Sequence, residues 1–189
     1  MTRKVLARDE LWDIATNQFG FVTARQATDA GIDKHAVQML VHRGTLSRVG
    51  QGVYRFPKRP TGVHDPLMLA VLWTRAPEAA LSHETALDAY GISDVNPDRI
   101  HVTIGKRRRL RRADGDGYVI HYEDLKPAQV GWRQGIPTVT AATAIAQCLA
   151  YGTPTYLLRQ VIERGYAQGY LKTEERNELA DAMAARRDG

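Results

Sequence analysis

Four polar side chains recur at steps of three and four residues along one short segment of the chain. They are Lys34, His35, Gln38 and His42. Residues at these steps share one face of an α-helix. The amide of Gln38 could pair with adenine, and Lys34 or His42 could meet guanine or phosphate. This is the chemistry of a helix in the major groove of DNA; a polar helix face that is merely solvated is the alternative.

The elements that must position these side chains are two helices and a sharp turn. Thr23 is a suitable cap for a first helix over residues 24–30, and Asp33 for a second helix over residues 34–43. Glycines, which adopt left-handed backbone angles at little cost, follow both helices. This spacing predicts a helix-turn-helix. Gln26 departs from the pattern, because an apolar residue is usual at that position.

A glycine-tipped hairpin follows the second helix. Residues 46–49 and 53–56 predict two short strands about a flexible tip at residues 50–52. Polar side chains of the hairpin are available for phosphate or the minor groove. The predicted DNA-binding residues are therefore Lys34, His35, Gln38, His42, Arg43, Arg48, Gln51 and Arg55. Together the helices and the hairpin predict a winged helix-turn-helix.

The distribution of charge favours the same segment. The chain carries a formal net charge of +5. Residues 1–62 carry ten Lys or Arg and five Asp or Glu, whereas the rest of the chain carries sixteen of each. The whole positive excess therefore lies on the predicted helix-turn-helix segment. Such a surface attracts the phosphate backbone but does not encode sequence preference.

Length and composition predict two domains in an α+β fold class. With 189 residues, of which 43% are hydrophobic and 25% charged, the chain can bury a substantial core. Residues 57–62 contain two prolines and indicate a linker, so the predicted domains are residues 1–62 and residues 63–189. The second should be a mixed α/β domain with a small sheet and several helices. Because no apolar run is long enough to span a bilayer, we expect a cytoplasmic protein.

Six cations occupy seven positions after a predicted strand over residues 99–104. They are Lys106, Arg107, Arg108, Arg109, Arg111 and Arg112. We expect them in the loop of a hairpin whose second strand is residues 118–122. Because like charges repel one another, such a run gains most when an anion is near. It predicts either a solvated loop or a second basic surface for DNA phosphates, RNA or an acidic protein.

The histidines of the second domain do not match a catalytic motif. His83 lies beside Glu84, but adjacent helical side chains point about 100° apart and do not converge on one atom. No His-Glu-x-x-His motif, paired cysteine or glycine-rich phosphate loop accompanies them. We expect a structural His83, a cross-strand pair of His101 and His121, and a buried, inert thiol at Cys148. The sequence therefore predicts no enzyme, no metal and no cofactor.

Segments in both halves of the chain resemble one bacterial family. Residues 19–27 and 44–54 resemble the winged-helix domain of AbiEi-type antitoxins from abortive-infection systems. The segments that resemble the carboxy-terminal domain of that family are residues 80–87, 90–92, 100–103 and 135–140.

The resemblance implies the antitoxin of a type IV toxin–antitoxin system that serves in phage defence. Such a protein represses its own two-gene operon by binding inverted repeats in double-stranded operator DNA through its amino-terminal domain. Its carboxy-terminal domain counters a nucleotidyltransferase-like toxin encoded next door, without a stable complex. The DNA-reading positions that it implies are Lys34, His35, Gln38, His42, Arg48 and Arg55.

Two other functions stay open. One is a stand-alone winged-helix transcriptional regulator whose second domain serves as a sensor or for dimerisation. The other is a degenerate nuclease, because a neighbouring family shares a similar Ser-His-Glu segment and continues into a nuclease core. That core needs carboxylates on a sheet to hold a metal. Here residues 141–151, 155–165 and 173–185 predict helices, and most of the later acids fall on the last of them.

Overall fold

The computed structural model describes residues 6–94, 97–110 and 117–186. Contacts divide the chain into two compact units, one ending at Pro77 and the other beginning at Glu78. Within the described residues there are eight α-helices and two β-sheets, which confirms a mixed α+β fold class. No helix in these ranges is long and apolar enough to cross a membrane.

The first unit combines four helices with a three-stranded sheet. Its helices are α1 (Ala7–Thr16), α2 (Ala24–Asp29), α3 (Lys34–His42) and α4 (Asp65–Trp73). Its strands are β1 (Phe21–Thr23), β2 (Ser47–Gly50) and β3 (Val53–Arg55), which pair antiparallel in the order β1-β3-β2. The two predicted helices and the predicted hairpin are present, each to within one residue at either end. Strand β1 was not predicted, because three residues that are all buried are too few to show alternation.

A capping box begins α2, and a second cap begins α3. Thr23 Oγ1 accepts from the Gln26 N–H at 3.2 Å, while Gln26 Oε1 accepts from the Thr23 N–H at 2.9 Å. Gln26 Nε2 also donates to Gln18 Oε1 at 2.8 Å. These bonds explain the polar residue at position 26, where the pattern predicts an apolar one. Asp33 Oδ1 accepts from the Ala36 N–H at 2.8 Å, which confirms the predicted cap of α3.

The core of the first unit lies between its helices and its sheet. It consists of Leu11, Ala15, Val22, Ala27, Ile32, Val37, Leu46 and Phe56. Val37 of α3 is 4% exposed in this core, and Ala36, Leu40 and Val41 of the same helix pack against it partly buried. The opposite side of α3 is therefore left to solvent.

Helix α4 belongs to the first unit, although the sequence boundary at residue 62 assigned it to the second domain. Its first residue, Asp65, forms an ion pair with Arg55 of β3 at 2.9 Å, and both side chains are only 11% exposed. The composition of the intervening linker does not reveal this pair. The observed division of the chain accordingly falls after Pro77.

The second unit is a five-stranded mixed sheet with four helices. The strands are β4 (Ala80–Leu81), β5 (Ile100–Ile104), β6 (Tyr118–Tyr122), β7 (Val130–Arg133) and β8 (Ile136–Val139), in the order β6-β5-β4-β8-β7. The helices are α5 (His83–Ala89), α6 (Ala141–Tyr151), α7 (Thr155–Ala167) and α8 (Thr173–Ala185), with a short 3-10 turn at Pro127–Gln129. The three predicted carboxy-terminal helices are thus confirmed. Their apolar faces pack into one core with α5 and the sheet.

Strands β5 and β6 are parallel, so the predicted hairpin between them is wrong. Ile100 pairs with Tyr118, and Ile104 pairs with Tyr122. Parallel neighbours require the chain to cross back before the second strand begins. The basic run therefore lies in a crossover connection. Alternation of side chains identified both strands correctly, but it is the same for parallel and antiparallel pairing.

Candidate functional site

One face of α3 carries the polar side chains that the sequence predicts to read DNA. The exposed residues on this helix and at its end are Lys34, His35, Gln38, His42 and Arg43. The Asp33 cap holds the amino-terminal end of the helix, and Val37 anchors its other side in the core. The face therefore presents an ammonium group, an amide and two imidazoles at helical spacing.

The tip of the β2–β3 hairpin is held from within the first unit. Arg48 and Gln51 are exposed. The Gln51 carbonyl accepts from Nη2 and Nε of Arg75 at 2.8 and 3.2 Å. Gly52 has a φ of +73°, and a Cβ there would lie 2.6 Å from Arg75 Nη2. The left-handed φ favours glycine at this position, and the bonds from Arg75 hold the turn that presents the polar side chains.

Arg55, predicted to bind DNA, is engaged inside the first unit. Its Nη2 donates to Asp65 Oδ2 at 2.9 Å, to the Arg59 carbonyl at 3.0 Å and to the Pro60 carbonyl at 3.1 Å. Its guanidinium also lies 5.6 Å from the centre of the Phe21 ring. These contacts correct the assignment, because a guanidinium held by a buried carboxylate is not presented to a phosphate. Its position on a hairpin strand and the family resemblance had both suggested DNA, and neither signals the contact with Asp65.

The basic run is only partly available to a ligand. The four cations within the described residues, all exposed, are Lys106, Arg107, Arg108 and Arg109. Arg111 and Arg112 lie outside the described residues. Arg108 donates to both carboxylate oxygens of Glu78, at 2.8 and 3.0 Å, and this contact lowers the pKa of Glu78. Arg109 also donates to backbone carbonyls within the run, so two of the four described cations are engaged by the protein itself.

Three histidines of the second unit meet beside the sheet. His83 follows β4, while His101 lies on β5 and His121 on β6. One ring nitrogen from each can be chosen so that all three atoms lie within 4.8 Å of one another. His101 Nδ1 is 3.1 Å from His121 Nε2, and the ring centres of His83 and His121 are stacked 3.5 Å apart. Tyr151 of α6 stands edge-on to the three rings, with centroid separations of 5.4, 5.6 and 5.2 Å.

Burial keeps this histidine cluster (His83, His101 and His121) uncharged. It lowers the pKa of His83 to about 3, with a further contribution from the other two imidazoles. Burial also lowers the pKa of His121 to about 4. It lowers the pKa of His101 as well, although the negative charge of Glu84 partly raises that pKa. At neutral pH each ring therefore carries one N–H and one lone pair. The short contact between His101 and His121 is then a single N–H···N hydrogen bond.

Polar groups around His83 fix its position. Its Nδ1 lies 3.1 Å from Ser82 Oγ. Its backbone N–H donates to Gln147 Oε1 at 3.4 Å, and Gln147 Nε2 donates to Glu123 Oε2 at 2.7 Å. The backbone φ of His83 is +51°, a left-handed value that is uncommon for a residue with a side chain. A chain of hydrogen bonds thus connects this strained position to the carboxylate of Glu123.

The sequence anticipated part of this cluster. The predicted pair of His101 and His121 is confirmed. The approach of His83 was missed, because the two-residue strand β4 that carries the chain to it shows no alternation. Its only signal was a histidine directly after the Ala-Leu-Ser segment that ends the strand. Cys148 is buried as predicted, and burial raises the pKa of its thiol to about 12.

Most of the first unit matches a known protein family. Residues 10–57, which run from within α1 to just past β3, match the family model described as "Transcriptional regulator, AbiEi antitoxin". No curated protein matches the chain at a significant level. Among solved structures, the chain is similar to the RV2827C protein from Mycobacterium tuberculosis. The two are 17% identical over 99% of this chain and 84% of that one, with a TM-score of 0.41.

Proposed function

We propose that this chain, whose residues 10–57 match the AbiEi antitoxin family of transcriptional regulators, is the antitoxin and autorepressor of a two-gene operon. Its first unit is a winged helix-turn-helix that binds inverted repeats in operator DNA. Its second unit counters a nucleotidyltransferase-like toxin without forming a stable complex with it. Both units act in the cytoplasm, by binding and not by catalysis.

The exposed polar face of α3 is the observation that carries the DNA-binding half of this proposal. α3 is the second helix after a capped turn, which is the position of the recognition helix in a helix-turn-helix. Its side chains include a glutamine amide, suited to adenine, and cations suited to guanine or phosphate. The whole net charge of +5 lies within residues 1–62. Long-range attraction to phosphate therefore brings DNA to the unit that also carries the base-reading groups.

The β2–β3 hairpin supports the same proposal as the wing. Arg48 and Gln51 are exposed near its tip, where they suit contact with phosphate or the minor groove. The structural role of Arg55 removes it from the proposed contacts. The DNA-binding residues that we propose are Lys34, His35, Gln38, His42, Arg43, Arg48 and Gln51.

The antitoxin half of the proposal is supported by the second unit. That unit has a core of its own, formed by the sheet and by α5 to α8. The segments that resemble the carboxy-terminal domain of the family contribute β4, β5 and β8 to it. An independent core is what a separate toxin-countering activity requires.

DNA binding is tested with the full chain on the DNA upstream of its own gene. We expect inverted repeats in the footprint and affinity at least about a thousandfold above that for shuffled DNA. Lys34→Ala should weaken binding, whereas Arg159→Ala, which removes an exposed cation from α7, is the matched control. Two results would contradict the assignment of α3 as the recognition helix. One is equal affinity for the upstream and the shuffled DNA, and the other is an equal loss of affinity in Lys34→Ala and Arg159→Ala.

The antitoxin activity is tested by growth of cells in which the adjacent gene is induced. We expect the neighbour to be toxic, and the full chain supplied from a second plasmid to restore growth. A full-length variant that no longer binds DNA, such as Lys34→Ala with Gln38→Ala, should restore growth equally well. If only the DNA-binding chain restores growth, or if the neighbour is harmless, the protein is a stand-alone regulator with a sensor or dimerisation domain.

The basic run is proposed as a second surface for DNA phosphates. Replacing Arg107, Arg108, Arg109 and Arg111 together by serine should make the salt dependence of DNA binding shallower. The slope should change by about 0.9 for each phosphate that the run no longer neutralises. An unchanged slope would identify the run as a solvated connection.

A further inference from the structure

The histidine cluster of the second unit has no part in the proposed function. Its three imidazoles come from the first residue of α5, which follows β4, and from the neighbouring strands β5 and β6. Neutral imidazole is a preferred ligand of Zn²⁺ and of other divalent transition metals. Among the described residues, this is the group of His, Cys, Asp and Glu side chains close enough together to hold a metal ion.

The separation of the nitrogens fits a shared ion. Zn–N bonds of about 2.0–2.1 Å at tetrahedral angles place two ligand nitrogens roughly 3.3 Å apart. His101 Nδ1 and His121 Nε2 are 3.1 Å apart, so two ligands already stand at this spacing. The third nitrogen lies within 4.8 Å of the others. Bringing it into the first coordination shell requires the His83 ring to turn away from the face of His121, on which it now stacks.

The surroundings of the cluster resemble the outer shell of a metal site. Ligating histidines usually engage their second ring nitrogen with an oxygen, which orients the ring. Ser82 Oγ takes this place beside His83 Nδ1, at 3.1 Å. Glu123 reaches the backbone of His83 through Gln147, and Glu84 is its neighbour in the chain. The charge of Glu84 acts on His101, so this carboxylate would partly offset the charge of a divalent cation.

We propose that His83, His101 and His121 form a binding site for a divalent transition-metal ion. Zn²⁺ is the best match, because it accepts three imidazoles and leaves a fourth position open. Tyr151, which is 54% exposed, stands edge-on to all three rings. The ion would join the start of α5 to β5 and β6 at one point and so stabilise the second unit.

The test is a titration of the purified, chelator-treated full chain with Zn²⁺ in competition with a chromophoric chelator. We expect one ion per chain. His121→Ala and His121→Asn should weaken binding by at least about 100-fold, since loss of an outer-shell partner alone costs about 10- to 100-fold. The matched control is His64→Ala, which removes a half-buried histidine from the first unit. His121 is the target of choice because it is only half-buried, whereas His83 and His101 are each 5% exposed.

Two further measurements separate a metal ligand from a merely structural histidine. Zn²⁺ should raise the midpoint of thermal unfolding of the original chain but not of the His121 variants. Co²⁺ should give the intense visible absorption of a four-coordinate site in the original chain, and the same variants should lose it. Absence of stoichiometric binding, or an affinity that survives both His121 substitutions, would identify the cluster as a hydrogen-bonded packing unit and overturn the proposal.

Discussion

The exposed face of α3 and the histidine cluster of the second unit are both built from polar side chains, but they differ in burial. On α3, the side chains of Lys34, Gln38 and His42 stand in solvent. In the cluster, His83 and His101 are buried, and hydrogen bonds run from the backbone of His83 through Gln147 to a carboxylate. The two regions show that residue type alone does not define what a polar group does.

The difference has an energetic basis. An exposed polar group keeps its water until a ligand arrives, so it contributes little to folding and much to binding. A buried polar group has lost its water and depends on its protein partners, so its removal is felt as a loss of stability. Substitution of an exposed residue on α3 should therefore weaken DNA binding and leave stability unchanged, whereas substitution of the same residue type in a buried site should lower stability.

The largest effect is expected for the buried arginine of the hairpin. Arg55→Ala leaves the carboxylate of Asp65 without its cation in a site where both side chains are 11% exposed. We expect the free energy of unfolding to fall by about 3–5 kcal/mol. Arg48→Ala, on the same hairpin but exposed, should change it by less than about 0.5 kcal/mol. Urea denaturation measures both values.

A double variant controls for the loss of charge itself. Arg55→Met combined with Asp65→Leu removes both members of the ion pair and should recover most of the stability lost in Arg55→Ala. If Arg55→Ala is as stable as the original chain and loses DNA binding only, Arg55 is a DNA contact and its assignment to the interior is wrong.

Two glutamines give the next largest effect and the most direct contrast. Gln38→Ala on α3 should cost about 1–3 kcal/mol in discrimination between operator and shuffled DNA and leave stability unchanged. Gln147→Ala removes the hydrogen bonds to Glu123 and to the backbone of His83, and should cost about 1–3 kcal/mol of stability. Anisotropy titrations and urea denaturation are needed for both variants. If Gln38→Ala weakens binding to operator and to shuffled DNA equally, Gln38 does not contact a base.

A smaller effect is expected at the cap that begins α2. Thr23→Ala removes the side-chain acceptor of the Gln26 N–H and should lower the free energy of unfolding by about 1 kcal/mol. Thr23→Ser, which keeps the hydroxyl, is the control. Because the cap lies within the first unit and away from the exposed face, base preference on operator DNA should not change in either variant. A change in base preference would show that the capping box contributes to recognition of the DNA sequence.

The smallest effect is expected for an exposed ion pair of the second unit. Arg108 and Glu78 form two hydrogen bonds, but their side chains are 43% and 41% exposed. Arg108→Ala should therefore cost less than about 1 kcal/mol, and the cost should shrink further at high salt. Denaturation at two salt concentrations measures this. A loss as large as that of Arg55→Ala would show that exposure does not separate the two pairs.

Local features were predictable from the sequence, and features that depend on chain topology were not. The caps Thr23 and Asp33 act within three residues, so the helices that they begin were located to within one residue. The ion pair of Arg55 with Asp65 spans a linker, and no local pattern signals it. His101 and His121 were paired correctly by alternation on two strands, but His83 joins them only because β4 lies beside β5. The predicted direction of β6 was wrong for the same reason, because it too depends on how the strands are arranged in the sheet.

The shortness of β4 has a consequence for the order of folding during synthesis. This strand, Ala80–Leu81, pairs with β5 on one side and with β8 on the other, so the sheet cannot close before residues near 138 have been made. The first unit, which includes α4, needs no residue beyond Pro77. Because domains fold as units as the chain emerges, the first unit is complete while the second is still being translated. On the function proposed above, a chain interrupted soon after Pro77 would silence the operon yet leave the toxin unopposed.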